Sequence, residues 1–177
     1  TLKTKYTKHI DDVQNAHQQA IKGNPMAAFM PAPRPSEILP TKKELEANAR
    51  NSDIAIITIG RVSGEFLDRT ASDFELNAEE KALISRVCTA FHAAGKKAVV
   101  ILNIGGVIET ASWKDQPDAI LCAWQAGQEG GNSVTDILSG KTSPSGKLTM
   151  TFPIKFQDAA SSANFPLDGA KSSMDFA

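Results

Sequence analysis

Ile54-Ala55-Ile56-Ile57-Thr58-Ile59 runs straight into Gly60-Arg61-Val62-Ser63-Gly64-Glu65-Phe66-Leu67-Asp68-Arg69, and this joining of an apolar run to a glycine-flanked polar loop decides the fold class. The run carries no charge and does not alternate, so it reads as a strand buried on both faces, the habit of parallel sheets covered by helices. Lys97-Ala98-Val99-Val100-Ile101-Leu102-Asn103 reads the same way, and Ala119-Ile120-Leu121-Cys122-Ala123-Trp124 supplies a third such segment. Open sheets of this kind hold their ligands outside the carboxyl ends of the strands. The 60–69 loop therefore hangs where chemistry is expected.

Helices fall between these runs. Thr41 with Glu44 three residues on makes a capping box for a helix through Arg50. Asn77 caps a second helix, with Glu80 at its third position and acidic residues where the helix dipole favours them. Leu83, Ile84, Val87, Cys88 and Phe91 give that helix one wide apolar stripe, and Gly95 ends it. Glu109 to Gln116 has room for one or two helical turns, and Ser133 to Leu138 is a helix closed by Gly140. Leu148-Thr149-Met150-Thr151-Phe152 alternates like an antiparallel edge strand. The order of elements predicts an α/β fold: a three-layer α/β/α sandwich on a mostly parallel sheet.

Outside this block the chain changes character. Residues 1 to about 22 show weak helical spacing stopped by Gly23-Asn24-Pro25, and Met30-Pro31-Ala32-Pro33-Arg34-Pro35 is an extended connector. It serves as a linker entering a domain or as a surface-hugging arm, and both fit. The boundaries are thus 1–40 for the arm and proline-rich segment, 41–155 for the sandwich and 156–177 for a polar tail. Thr1 stands where an initiator Met would be, which suggests a piece of a longer polypeptide.

The 177 residues are 41% apolar and 22% charged with a net charge of −1, a balance that gives no electrostatic reason to expect nucleic acid or an anionic membrane as partner. No run approaches the ~20 apolar residues of a membrane span, and the N-terminus lacks a signal-peptide core, so compartment stays open. Cys88 and Cys122 lie in apolar segments as buried thiols or as a disulfide pair, with no spacing that suggests zinc or redox chemistry.

Glu65 is the leading candidate for chemistry. Gly64 frees the backbone beside it, and a carboxylic acid whose pKa is raised by apolar neighbours such as Phe66 and Leu67 can protonate a leaving group. Against that stands a plain surface glutamate. Arg61, Asp68 and Arg69 read first as loop braces and second as ligand contacts. Gly127-Gln128-Glu129-Gly130-Gly131-Asn132 opens a helix and could cradle an anion, but it matches neither dinucleotide nor phosphate-loop spacing, so tight strand-to-helix packing is its expected role. His9, His17 and His92 are not clustered, with His92 expected in solvent; Trp113 and Trp124 are expected in the core or at an interdomain contact.

Taken together, several segments resemble the second, α/β-sandwich domain of glycoside hydrolase family 3. They are Ser52 to Ile57, Ser63-Gly64-Glu65 with Asp68-Arg69, Val99 to Asn103, Trp124 to Asn132, and Pro144 to Leu148 ahead of Thr151-Phe152-Pro153. The resemblance implies a retaining β-glycosidase in which a (β/α)8 barrel, absent from this chain, carries an aspartate nucleophile. Glu65 would then be the general acid/base, with Arg61, Phe66, Asp68 and Arg69 supporting the loop or touching the aglycone. It implies a β-linked oligosaccharide or aryl glycoside as substrate and no metal or cofactor. Residues 1–40 become an interdomain linker, the tail leads to a missing downstream domain, and the piece alone should be catalytically silent. A signal peptide on the parent would make it periplasmic or secreted. Phe66 departs from the family, which often has glycine there. The competing reading is a stand-alone doubly wound module binding a small anion at the glycine-rich helix start.

Overall fold

The computed structural model describes residues 2–24, 32–61 and 69–163. They fall into two compact units, one within Thr1–Thr41 and one within Lys42–Ala177. In the first, α1 spans Leu2–Ala20 and buries no residue fully. Gly23, at φ +85°, turns the chain out of it. The hydroxyl of Tyr6 on α1 lies 3.1 Å from Glu37 Oε2 and 3.2 Å from the Ile38 carbonyl oxygen. His9 Nε2 lies 3.1 Å from the Ser36 carbonyl oxygen. Residues 32–40 have no regular structure, and these side chains hold their second half against α1.

The second unit is α/β. α2 spans Lys42–Asn51, β1 Ile54–Arg61, α3 Ala71–Phe74, α4 Ala78–Ala93, β2 Lys97–Ile104, β3 Ala119–Cys122 and α5 Gly130–Leu138. The strands form one sheet in the order β1-β2-β3, parallel throughout, with Ile57 opposite Val100 and Val100 opposite Ile120. Side chains alternate across a pleated strand. Ala55, Ile57 and Ile59 thus share a buried face with Ala98, Val100 and Leu102. α4 packs against β1 and β2, and α2 packs against α4 through buried Leu45 and Ala49. The stripe Leu83, Ile84, Val87, Cys88 and Phe91 is buried as the spacing predicts.

α4 starts where the cap residues dictate. Asn77 Oδ1 accepts from the Glu80 amide at 2.8 Å, and Glu80 Oε2 accepts from the Asn77 amide at 2.9 Å, so two of the helix's free donors are satisfied reciprocally. It ends as the chain passes through Gly95 at φ +69°, the left-handed conformation that favours glycine.

Three expectations are corrected. β1 is buried on one face only: Ile54 and Ile56 are 44% and 51% exposed, because β1 is a sheet edge and no described helix covers its outer face. β2, in the centre, is the strand that is buried on both sides. No strand forms over 148–152, so the described sheet has no antiparallel edge. Alternation gives that stretch an apolar face but no ladder partner, and Leu148 and Met150 are 63% and 50% exposed. Finally, His92 is not free in solvent. Its Nε2 meets Asp118 Oδ2 at 2.8 Å, and the same carboxylate accepts from Lys97 Nζ at 2.7 Å and from the Ala98 amide at 2.9 Å. Asp118 thereby ties the end of α4 to the start of β2. Beyond Pro153, Phe156 sets its ring edge-on to Phe74 with centroids 6.0 Å apart, one apolar contact in a segment expected to have none.

Candidate active site

Parallel register brings all three carboxyl ends to one side of the sheet, with Arg61 opposite Ile104 and Leu102 opposite Cys122. The loops that leave there begin at residues 62, 105 and 123. Glu65, Phe66 and Asp68 fall in 62–68, outside the described residues. Arg61 and Arg69, which flank that segment, are described.

Arg61 closes β1 and points to the buried face, its side chain 4% exposed. Nη1 and Nη2 meet Glu80 Oε1 and Oε2 at 2.7 and 2.9 Å, the two-pronged geometry in which guanidinium and carboxylate fit best. Its remaining donors reach the carbonyl oxygens of Gly60 at 2.8 Å, Glu75 at 2.9 Å and, through Nε, Asp73 at 3.0 Å. A guanidinium has five N–H donors, and all five of these are used. Burying the charge would be costly unpaired; with Glu80 1% exposed beside it, the pair is neutral and satisfied. Arg61 is therefore a strut with nothing left to offer a ligand.

Arg69 is built differently. Nη2 donates to the Asp73 carbonyl oxygen at 3.0 Å and to that of Val107 at 3.3 Å, while Nε is buried without a partner. Burial lowers its pKa from the ordinary value, the Asp73 carboxylate opposes that, and Arg61 adds slightly to the lowering. The Asp68–Arg69 pair was expected to brace by ion pairing; Arg69 braces through backbone carbonyls instead, which stitches α3 to the loop after β2. A second stitch runs beside it, from the Glu109 amide to the Phe74 carbonyl oxygen at 2.7 Å.

Asp73 sits under both arginines. Its carboxylate accepts from the Thr70 amide and hydroxyl at 2.7 and 2.8 Å. Burial alone would push this carboxyl up; the Thr70 hydrogen bonds and the nearby Arg69 and Arg61 charges outweigh it and hold it below the usual range. Glu109 is committed as well, accepting from the Ser112 amide and hydroxyl at the head of hydrogen-bonded turns over 111–115 that form no regular helix. Buried Trp113 donates its indole N–H to the Glu109 carbonyl oxygen at 2.8 Å.

Sequence reasoning found Arg61 and Arg69 but missed two partners. Glu80 was read as a cap alone, although the oxygens of a capping glutamate can serve a second donor. Gly106 carried no signal at all; a Cβ there would collide with the Arg69 guanidinium.

The glycine-rich helix start answers to packing. A Cβ on Gly130 would come within 2.9 Å of the Ala126 Cβ. Glu129 already places a carboxylate at that end of α5, bonded to Asn132 Nδ2 at 2.7 Å, which repels an anion. Trp124, at the end of β3, has φ +53° and sets its ring 5.9 Å from that of Phe152. Among the described residues no group of three or more His, Cys, Asp or Glu could hold a metal ion. Nor is any described helix long and apolar enough to cross a membrane.

The family model for the glycosyl hydrolase family 3 C-terminal domain matches residues 2–175. The chain belongs to that family. Among curated family 3 relatives, beta-glucosidase A of Butyrivibrio fibrisolvens is 39% identical over 142 residues, covering 68% of this chain and 17% of that protein. The exo-alpha-(1->6)-L-arabinopyranosidase of Bifidobacterium longum is 34% identical over 128 residues, covering 71% of this chain and 16% of that protein. Among solved structures, beta-glucosidase 3B from Thermotoga neapolitana in complex with glucose matches at a TM-score of 0.77 and 39% identity, over 92% of this chain and 23% of that one. The chain thus spans less than a quarter of the length of these relatives, which are glycoside hydrolases.

Proposed function

We propose that this chain is the acid/base half of a retaining β-glycosidase, with Glu65 as the proton donor. The observation that carries the reading is the attachment of the 62–68 segment: it leaves the carboxyl end of β1, and the arginines on either side of it are both fixed to α3 and α4. A loop that must hold an acid against a reacting oxygen needs rigid feet.

In the first step, a barrel aspartate attacks the anomeric carbon while Glu65 gives its proton to the departing glycosidic oxygen. In the second, Glu65, now a carboxylate, takes a proton from the water that releases the sugar from the aspartate. The two carboxyls must stand about 5–5.5 Å apart. A (β/α)8 barrel needs about 250 residues, so the nucleophile lies on polypeptide beyond this chain, and the chain by itself hydrolyses nothing. In this reading residues 1–40 are the interdomain linker, 41–155 the sandwich and 156–177 the lead into a downstream domain. The exposed outer face of β1, with Ile54 and Ile56, offers apolar surface for the rest of the protein to cover.

The substrate class is a β-linked oligosaccharide or aryl glycoside. Relatives named for a glucoside and for an arabinopyranoside match this chain at similar identity. We therefore assign sugar selection to the barrel. The test joins the chain to a family 3 barrel, in cis or in trans, and assays aryl β-glycosides. Activity should appear with the barrel, collapse for poor leaving groups in Glu65→Ala, and recover with azide. Turnover unchanged by Glu65→Ala would overturn the assignment.

A further inference from the structure

The two arginines that bracket 62–68 differ in a way that separates their tasks. Arg61 is charge-neutralised by Glu80 and has every donor occupied. Arg69 rests on neutral carbonyls alone, on α3 and on the loop after β2, with Nε unpartnered. That second loop makes room for it by having glycine at 106, where any side chain would meet the guanidinium. Thus one side chain locks the loops leaving β1 and β2 to each other, at the edge where the proposed chemistry takes place.

We propose that Arg69 is a positioning residue for the general acid, acting through the far end of the 62–68 segment, and that Gly106 is the clearance on which this action depends. The inference rests on the reading of Glu65 as the acid. It separates Arg69 from Arg61: losing Arg61 removes a buried pair and costs fold stability, whereas losing Arg69 leaves the Asp73 carbonyl still served by Arg61 Nε and costs alignment. A misaligned acid handicaps only leaving groups that require protonation. Displacement of about 1 Å at a reacting centre costs on the order of a hundredfold in rate.

The experiment uses the chain joined in cis to a family 3 barrel and measures kcat/KM on phenyl and 2,4-dinitrophenyl β-glycosides. Arg69→Ala should lose on the order of a hundredfold on the phenyl glycoside and little on the dinitrophenyl glycoside. Gly106→Ala, which pushes the guanidinium aside, should produce the same selective loss. The double variant Arg69→Ala/Gly106→Ala should be no worse than Arg69→Ala, because the added methyl then has nothing to displace. Arg69→Lys should recover part of the loss, since one ammonium can serve the Asp73 carbonyl but cannot span both loops. Equal losses on both substrates, or additive losses in the double variant, would overturn the proposal. Glu65→Ala is run alongside. If it shows no leaving-group dependence, the acid assignment has failed and this inference with it. If it shows the dependence and Arg69→Ala does not, only the positioning role is wrong. Should Arg69→Ala fail to fold, Gly106→Ala against Arg69→Lys/Gly106→Ala carries the same comparison.

Discussion

Arg61 and Arg69 donate to a single acceptor, the carbonyl oxygen of Asp73, each at 3.0 Å. Two guanidiniums at opposite ends of one loop converge on one peptide group of α3. Of the two, only Arg61 has its charge cancelled at contact distance, by Glu80.

Breaking that pair should be expensive. Glu80→Ala leaves a guanidinium buried without its counter-charge and removes the acceptor for the Asn77 amide, so urea unfolding should show a loss of about 3–5 kcal/mol. Replacing both partners with apolar residues, Arg61→Met with Glu80→Leu, should cost less than the two single changes summed. A loss below about 1 kcal/mol for Glu80→Ala would place the pair among solvent-screened ones, against its burial.

Asp118 gives the fold an acid-sensitive tie. Its carboxyl is held well below the usual range by Lys97 first, then the Ala98 amide and His92. A depressed carboxyl pKa contributes stability that is complete above the ordinary value of about 4 and is lost as pH falls toward the depressed one. Stability measured between pH 6 and pH 2, points chosen to bracket about 4, should therefore fall more steeply in the natural chain than in Asp118→Asn.

Tyr6 is the chain's one tyrosine, so phenolate absorbance in an alkaline titration reports it alone. Its pKa is pushed up to about 12, by burial first and by the Glu37 charge second. The midpoint should lie well above the ordinary phenol value of about 10 and fall in Glu37→Gln. Because the folded value is the raised one, this contribution to stability is complete below about 10 and is lost as pH climbs to the folded midpoint.

Burial predicts opposite tolerances at two isoleucines. Ile84 is 0% exposed in α4, and Ile84→Ala should cost about 2–5 kcal/mol in the isolated chain. Ile56 is 51% exposed, so Ile56→Ala should cost well under about 1 kcal/mol there. In sedimentation, Ile54→Lys with Ile56→Lys should reduce self-association of the isolated chain. Equal association with and without the lysines would show that this face is not sticky.

What the sequence revealed was what neighbouring residues decide among themselves. The Asn77–Glu80 box and the stripe from Leu83 to Phe91 are local patterns, and both read true. Arg61 meeting Glu80, and His92 meeting Asp118, join side chains 19 and 26 positions apart, which no spacing rule announces. Exposure of Ile54 and Ile56 was equally illegible, because an apolar side chain on an uncovered edge looks the same in the text as one in a core. Over 148–152 the alternation was real but the partner strand was not. At the candidate site, the residue types in the loop were readable, while the anchorage that gives them a fixed base was not.

The parallel register carries a consequence for assembly. Ile54 pairs with Lys97, so the first rung of the sheet must wait until the whole of the intervening helix has been made. Contacts between distant parts of a chain pay their loop-closure entropy before they are rewarded, and they slow folding. During synthesis β1 emerges with no strand to join, its isoleucines open to neighbours. The apolar stripe of α4 is the first surface available to shelter them.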